Sequence, residues 1–170
     1  MTSWPTRTLG RSGVSVTTMG LGTATLCGAR VPLIDAERRA IVLAAWDGGL
    51  RYVDTAPFYG VGAAERAVGD ALRDEPRDSW VLSTKVGRLL RPNPAGTPDP
   101  DGRLTPLPFS VAYDYGHDAI LRSVEDSLQR LGLARMIFSM FTTSAPISTA
   151  TRRRGICGGC VSPATPPSPG

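Results

Sequence analysis

The feature that most constrains the fold of this chain is a regular alternation of short β-prone runs with helical segments. Apolar runs at about residues 18–24, 51–56 and 80–86 are separated by helical segments at about 35–47 and 64–73, with short connections. Strands that are joined through helices pair in parallel, with right-handed crossovers. The order therefore predicts an α/β fold built on a parallel sheet.

Further elements flank this core pattern. Two β-prone runs surround the turn Gly10-Arg-Ser-Gly13, which predicts an N-terminal hairpin. Asp35 is predicted to cap the first helix. Residues 91–116 contain six prolines, which indicates a functional loop or a disordered one. Residues 118–131 predict a third helix that ends at Gly132, and its apolar face is expected to hold Leu121, Val124, Leu128 and Leu131.

Charge and hydropathy exclude some classes of function. Residues 1–135 contain 16 of the 19 basic side chains and all 15 acidic ones, so the net charge of +4 comes mainly from three arginines near the C-terminus. No aromatic-interleaved basic stripe is present, so we do not expect nucleic-acid binding. No apolar run approaches the ~18 residues of a membrane span, and no signal-peptide pattern begins the chain. We therefore expect a cytoplasmic protein without a membrane partner.

The two ends of the chain differ in character. The 170 residues are fewer than the ~250 typical of a complete eight-fold β/α barrel. Residues 136–170 contain no leucine and no acidic residue, and 19 of these 35 are Ser, Thr, Pro or Gly. Apart from a possible strand at 136–141, such a segment cannot bury enough apolar surface to order itself. We predict one structured domain at 1–135 and a mostly disordered tail at 136–170.

Three side chains are candidates for chemistry at one edge of the sheet. Lys85 is the only lysine, against eighteen arginines, and it lies near the C-terminal end of its strand, as Asp54 does. Ligands bind at this edge of parallel sheets, and a buried carboxylate there needs a cationic partner. Tyr59 follows five residues after Asp54; a phenol, whose ordinary pKa is about 10, transfers protons near neutral pH when a cation favours the phenolate. Alternatively, Lys85 is a chance survivor and Tyr59 packs as an ordinary aromatic.

Other motifs are weak. Cys157 and Cys160 form a CxxC pair, but zinc requires two further ligands that the tail lacks, so no metal is expected. The only histidine, His117, is expected to be a solvated residue that opens the third helix. The run from Gly20 to Thr25 lacks the third glycine of a dinucleotide-binding fingerprint.

The chain contains five ordered motifs: Gly20-Leu-Gly-Thr23, Asp54-Thr-Ala-Pro-Phe-Tyr-Gly60, Gly62-Ala-Ala-Glu-Arg-Ala-Val-Gly69, Ser83-Thr-Lys-Val-Gly87 and Leu121-Arg-Ser-Val-Glu-Asp-Ser-Leu-Gln-Arg-Leu-Gly-Leu133. Together these motifs resemble the N-terminal half of an aldo-keto reductase, and the resemblance covers about residues 6–135. Within that superfamily, residues 83–94 and the long loop after them are most similar to the aldose 1-dehydrogenases that act on L-fucose and related sugars.

The resemblance implies a truncated (β/α)8 barrel, with an N-terminal hairpin, about four parallel strands and three helices. It implies NAD or NADP as cofactor and a small sugar or aldehyde as substrate, oxidised at C1 to a lactone or reduced at a carbonyl. Tyr59 would be the general acid/base, Lys85 the cation that favours its phenolate, and Asp54 the partner that orients Lys85. Gly22 and Thr23, with Asp54, would lie near the nicotinamide.

The chain departs from the family pattern in its C-terminal half. The family's catalytic histidine ends the fourth strand, but residues 136–143 contain none, and strands five to eight have no counterpart. We hypothesise that a frameshift near codon 135 put the rest of the gene out of frame; translation of the other two reading frames of the DNA tests this. The rival interpretations are a genuine tail on a small β/α domain and a catalytically inactive fragment.

Overall fold

The computed structural model describes residues 4–27, 31–95 and 108–136, together with the backbone of 138–141. Its strands are β1 (Thr6–Thr8), β2 (Ser15–Thr17), β3 (Leu21–Gly22), β4 (Tyr52–Asp54), β5 (Val81–Val86), β6 (Arg88–Pro92), β7 (Phe109–Tyr113) and β8 (Phe138–Phe141). Its α-helices are α1 (Asp35–Asp47), α2 (Ala63–Leu72) and α3 (His117–Leu131). Within the described residues, no helix is both long and apolar enough to cross a bilayer.

Four of the strands form a parallel sheet in the order β3-β4-β5-β8. In its register Gly22 lies opposite Asp54, Asp54 opposite Ser83, and Lys85 opposite Met140. The strands β1 and β2 pair as the expected antiparallel hairpin. Four parallel strands, three helices and a hairpin match the predicted part of a (β/α)8 barrel, and the predicted strand within 136–141 is confirmed as β8.

The main core lies between the sheet and the helices. Val53 and Leu82, from adjacent strands, pack in one cluster with Val68 and Leu72 of α2 and Leu131 of α3. Gly69 allows the two helices to approach closely, because a Cβ at this position would lie 2.2 Å from the carbonyl oxygen of Leu131. The helices therefore cover one face of the sheet. At the C-terminal ends of the strands, the side chains of the opposite face are not covered by these helices.

The start of α1 differs from the prediction. Asp35 is the first helical residue, Ile34 occupies the cap position, and the Asp35 side chain is 97% exposed and pairs with Arg38. The carboxylate of Glu37 instead accepts a hydrogen bond from the Ile34 N–H, 2.9 Å away. Glu37 thus binds the backbone N–H of Ile34, which a cap formed by Asp35 would have left to solvent.

The buried face of α3 also differs from the predicted leucine stripe. Leu121 is 44% exposed, whereas Ser123, Ser127 and Leu131 are buried. The two serines reach the interior because their hydroxyls accept hydrogen bonds there, Ser123 from the Gly87 N–H and Ser127 from the Arg130 guanidinium. Gly132 ends the helix in a left-handed conformation, as predicted.

The proline-rich segment contains more structure than the sequence indicates. Strands β6 and β7 pair in antiparallel register, with Arg88 opposite Tyr113 and Pro92 opposite Phe109. The disordered alternative for the loop at 91–116 is therefore wrong at both ends, because cross-strand pairing offsets the low β-propensity of the prolines. Residues 96–107, the segment 142–170 and with it Cys157, Cys160 and most of the predicted tail lie outside the described residues.

Candidate active site

An ion pair between Asp54 and Lys85 lies at the C-terminal ends of two neighbouring strands. Asp54 ends β4, and Lys85 is the penultimate residue of β5. The Lys85 Nζ donates hydrogen bonds to Asp54 Oδ2 at 2.8 Å and to the carbonyl oxygen of Thr55 at 3.1 Å. The parallel register, which offsets the two residues by two positions, brings the ammonium directly against the carboxylate.

The environment keeps Lys85 charged. Its side chain is 11% exposed, and this burial by itself lowers the pKa of the ammonium. Hydrogen bonds and charge attraction from Asp54 and Tyr59 outweigh burial, so the pKa of Lys85 is raised above its ordinary value. Lys85 is therefore a fixed cation throughout the neutral pH range.

Tyr59 lies in the connection between β4 and α2, beside the same ammonium. The Lys85 Nζ is 4.7 Å from the centroid of the Tyr59 ring. The backbone of the loop is anchored: the Tyr59 N–H donates to the carbonyl of Ala56, and the Tyr59 carbonyl accepts from the N–H of Ala64 and from the Cys27 thiol. The phenol, the ammonium and the carboxylate that the sequence singled out thus converge on one edge of the sheet.

The turn after Tyr59 requires glycine. Gly60 has φ = +59°, a backbone conformation that residues with a Cβ rarely adopt. A Cβ at this position would also lie 2.3 Å from the Cys27 sulfur. Tight packing of this turn against buried Cys27 fixes the position of the tyrosine beside it.

Gly22 and Thr23 lie next to Asp54, where the family resemblance implies the nicotinamide. Both the N–H and the Oγ1 of Thr23 donate to the Asp54 carbonyl oxygen, each at 3.0 Å. A Cβ built on Gly22 meets no atom of the described residues within 4 Å, so none of these residues covers the backbone there. A flat ring can approach this strand end closely, which fits the group that the sequence implies.

Sequence reasoning missed two polar neighbours of Asp54. The buried Ser83 hydroxyl donates to Asp54 Oδ1 at 2.7 Å, and it lies 3.0 Å from the Tyr52 hydroxyl. A signal for both existed, because side chains two positions apart in a strand share a face. Ser83 is two residues before Lys85, and Tyr52 is two residues before Asp54.

Arg88 was missed as well. Its side chain is largely buried, and its guanidinium carbon lies 4.8 Å from the ring centroid of Phe58 and 5.4 Å from that of Tyr113. Tyr113 reaches it only through the β6–β7 pairing, which the sequence did not indicate.

A second buried ion pair supports β5 from the helical side. Glu65 of α2 is fully buried, and its carboxylate accepts hydrogen bonds from Arg130 Nε at 2.6 Å and from Thr84 Oγ1 at 2.7 Å. The pair joins both helices to the strand that carries Lys85. His117, by contrast, is highly exposed, and its Nδ1 lies 3.0 Å from the carboxylate of its neighbour Asp118.

The arrangement suits proton transfer. A hydroxyl that can donate or accept a proton lies beside a permanent cation, and the cation is held in place by a carboxylate. Within the described residues, no three His, Cys, Asp or Glu side chains group in a way that could hold a metal ion.

Comparisons with known proteins identify relatives of this chain. The sequence profile of the Aldo/keto reductase family matches residues 18–139. Pyridoxal 4-dehydrogenase of Microbacterium luteolum is 45% identical over 135 residues, and D-threo-aldose 1-dehydrogenase of a Pseudomonas species is 41% identical over 129. Each match covers 74% of this chain and 39% of the relative. The holo form of an aldo-keto reductase from Bacillus halodurans superposes with a TM-score of 0.65 at 28% identity, over 81% of this chain and 40% of that structure.

Proposed function

This chain belongs to the aldo/keto reductase family, and from that membership we propose that it acts as an NAD(P)-dependent oxidoreductase on an aldehyde or an aldose. The observation that carries the proposal is the convergence of Tyr59, Lys85 and Asp54 at the C-terminal edge of the sheet. The chain spans 39% of the length of the two dehydrogenases above, so activity is proposed for it on the strength of its own residues.

Tyr59 transfers the proton in the proposed reaction. In the direction of reduction, its hydroxyl gives a proton to the carbonyl oxygen while hydride adds to the carbonyl carbon, and an alcohol forms. The phenolate that remains is stabilised by the Lys85 ammonium, whose Nζ is 4.7 Å from the ring centroid. In the direction of oxidation the phenolate takes the proton from the C1 hydroxyl of the cyclic aldose while C1 loses its hydrogen as hydride, and a lactone forms.

Asp54 has a supporting role in this mechanism. Its carboxylate, 2.8 Å from Lys85 Nζ, offsets the cost of burying the ammonium. Lys85 therefore stays protonated and directed at Tyr59 through every step, and it takes no part in bond making itself.

The nicotinamide, when bound, supplies or accepts the hydride. Gly22, Thr23 and Asp54 are the residues proposed to hold it, because no described residue covers the backbone at Gly22 and Thr23 donates two hydrogen bonds to the Asp54 carbonyl oxygen. The choice between NAD and NADP is left to experiment.

The substrate class is proposed from the relatives. Relatives named for pyridoxal and for D-threo-aldoses suggest a small aldehyde or a reducing sugar.

The proposal is tested by turnover of the purified full chain. Oxidation of L-fucose and D-threo-aldoses with NAD and NADP, and reduction of pyridoxal with the reduced cofactors, are followed by nicotinamide absorbance. Activity with at least one pair is expected, and Tyr59→Phe should lower it by about 10²-fold or more, with an unchanged circular dichroism spectrum. Absence of turnover with every pair refutes the proposal and supports the inactive-fragment alternative.

A further inference from the structure

We propose that Ser83 is a positioning residue that aims the Asp54 carboxylate at Lys85, and that Tyr52 fixes the direction of the Ser83 hydroxyl. This role rests on the proposed function, in which Asp54 keeps Lys85 charged beside Tyr59. The juxtaposition that carries it is a continuous line of polar contacts across β4 and β5, from Tyr52 through Ser83 and Asp54 to Lys85.

The direction of each hydrogen bond along this line follows from counting protons. An ionised carboxylate can only accept, so the single hydroxyl proton of Ser83 is directed at Asp54 Oδ1, 2.7 Å away. The Ser83 oxygen is then left as the acceptor in its 3.0 Å contact with Tyr52, which makes the tyrosine hydroxyl the donor. The line therefore has one polarity: Tyr52 donates to Ser83, and Ser83 donates to Asp54.

Each oxygen of the Asp54 carboxylate accepts a hydrogen bond from a different neighbour. Ser83 holds Oδ1, and Lys85 holds Oδ2 at 2.8 Å. The Asp54 side chain is 26% exposed, so it has solvent to turn toward, whereas Ser83 is fully buried and its hydroxyl lies within hydrogen-bond distance of both the carboxylate and Tyr52. Loss of the serine hydroxyl would release the carboxylate toward water and weaken its contact with the ammonium.

Tyr52 is itself held in place by packing. A Cβ on Gly20 would lie 2.6 Å from Cδ1 of the Tyr52 ring, so the ring occupies the space that a side chain at position 20 would fill. Gly20, which directly precedes β3, therefore leaves room for the ring of Tyr52, and Tyr52 orients Ser83.

The next residue in β5 supplies a matched control. Thr84 is also fully buried, and it also donates a 2.7 Å hydrogen bond to a carboxylate, that of Glu65, on the opposite face of the strand. Thr84→Val and Ser83→Ala each remove one buried hydroxyl from the same strand. Only Ser83→Ala removes a contact to the partner of Lys85.

The experiment reads the ionisation of Lys85 directly and does not require turnover. Because Lys85 is the only lysine of the chain, protein grown with ¹³C,¹⁵N-lysine gives a single lysine side-chain signal in NMR, and its titration reports one pKa. Ser83→Ala should lower this pKa by roughly half a pH unit or more, since burial of the ammonium then has less compensation. Tyr52→Phe should lower it by less, Ser83→Thr should restore it, and Thr84→Val should leave it at the wild-type value.

The inference is overturned if the pKa of Lys85 is the same in Ser83→Ala as in the wild type, or if Thr84→Val lowers it equally. Should Ser83→Ala fail to fold, Tyr52→Phe decides: it keeps the Ser83 hydroxyl and the fold, and an unchanged pKa in that variant also overturns the inference. The proposed function fails on separate grounds, through absent turnover in the wild type, so the two failures are distinguishable.

Discussion

Asp54→Asn is the most informative single substitution in this protein. It removes the negative charge that faces Lys85 at 2.8 Å and preserves the size of the side chain. In the wild type, attraction to Asp54 and Tyr59 outweighs burial and raises the pKa of Lys85. Without the carboxylate charge, burial becomes the dominant influence, so we expect the pKa of Lys85 to fall.

The magnitude follows from the contact that is lost. A hydrogen bond that involves a charged group contributes about 1.5–3 kcal/mol; the ammonium–carboxylate bond, with both groups charged, lies near the upper end of this range, and the bond from the ammonium to the neutral asparagine oxygen lies near the lower end. The difference is about 1–1.5 kcal/mol, which corresponds to a lowering of the pKa by roughly one pH unit. Lys85 would still be mostly protonated at neutral pH, but it would lose charge well before the wild-type ammonium does.

The assay is the NMR titration of the single lysine signal, with Asp35→Asn as the matched control. Asp35 undergoes the same change of charge, but its side chain is 97% exposed and pairs with Arg38 on α1. The control should leave the pKa of Lys85 unchanged. A pKa that is unchanged or higher in Asp54→Asn would refute the view that this carboxylate holds the ammonium charged.

Three further substitutions test the supporting structure. Gly60→Ala should lower the free energy of unfolding in urea by about 2–4 kcal/mol, because it adds left-handed backbone strain and a clash with Cys27. A loss of free energy below about 1 kcal/mol in the same measurement would contradict this. Arg130→Met should cost about 3–5 kcal/mol in the same measurement by stranding Glu65, and adding Glu65→Gln should recover part of that loss; a double variant no more stable than the single one would contradict the pairing. The raised pKa of Lys85 contributes stability that is present below the ordinary value of 10.5 and is lost as the pH rises through the higher pKa of the folded state. The gap in stability between wild type and Lys85→Met should therefore be constant from about pH 7 to about pH 10 and narrow above; a gap that widens with pH would contradict this assignment.

The sequence predicts the site well where its position depends on strand order. Asp54 and Lys85 were expected at one edge because the C-terminal ends of parallel strands meet there, and the structure places their charged atoms 2.8 Å apart. Tyr59 is close because a short, glycine-bounded turn gives the loop little freedom. In both cases local chemistry and topology point to the same arrangement.

Prediction was weaker where tertiary contacts override local preference. Ser123 and Ser127 are buried although they are polar, because the Gly87 N–H and Arg130 meet their hydroxyls, and no periodicity count reveals such partners. The pairing of β6 with β7 joins strands on either side of residues 96–107, a separation too long for turn chemistry to indicate a hairpin. The roles of Tyr59, Lys85 and Asp54 stay predictions until turnover is measured.

Transfer of deuterium from C4-deuterated reduced nicotinamide to an aldehyde, analysed by mass spectrometry of the alcohol product, tests the account most directly. We expect the wild-type chain to place deuterium on the former carbonyl carbon, and Tyr59→Phe, folded and mixed with the same reagents, to form almost none. Equal deuterium incorporation by the two proteins would contradict the account, because hydride transfer would then proceed without the phenol that the structure holds beside Lys85.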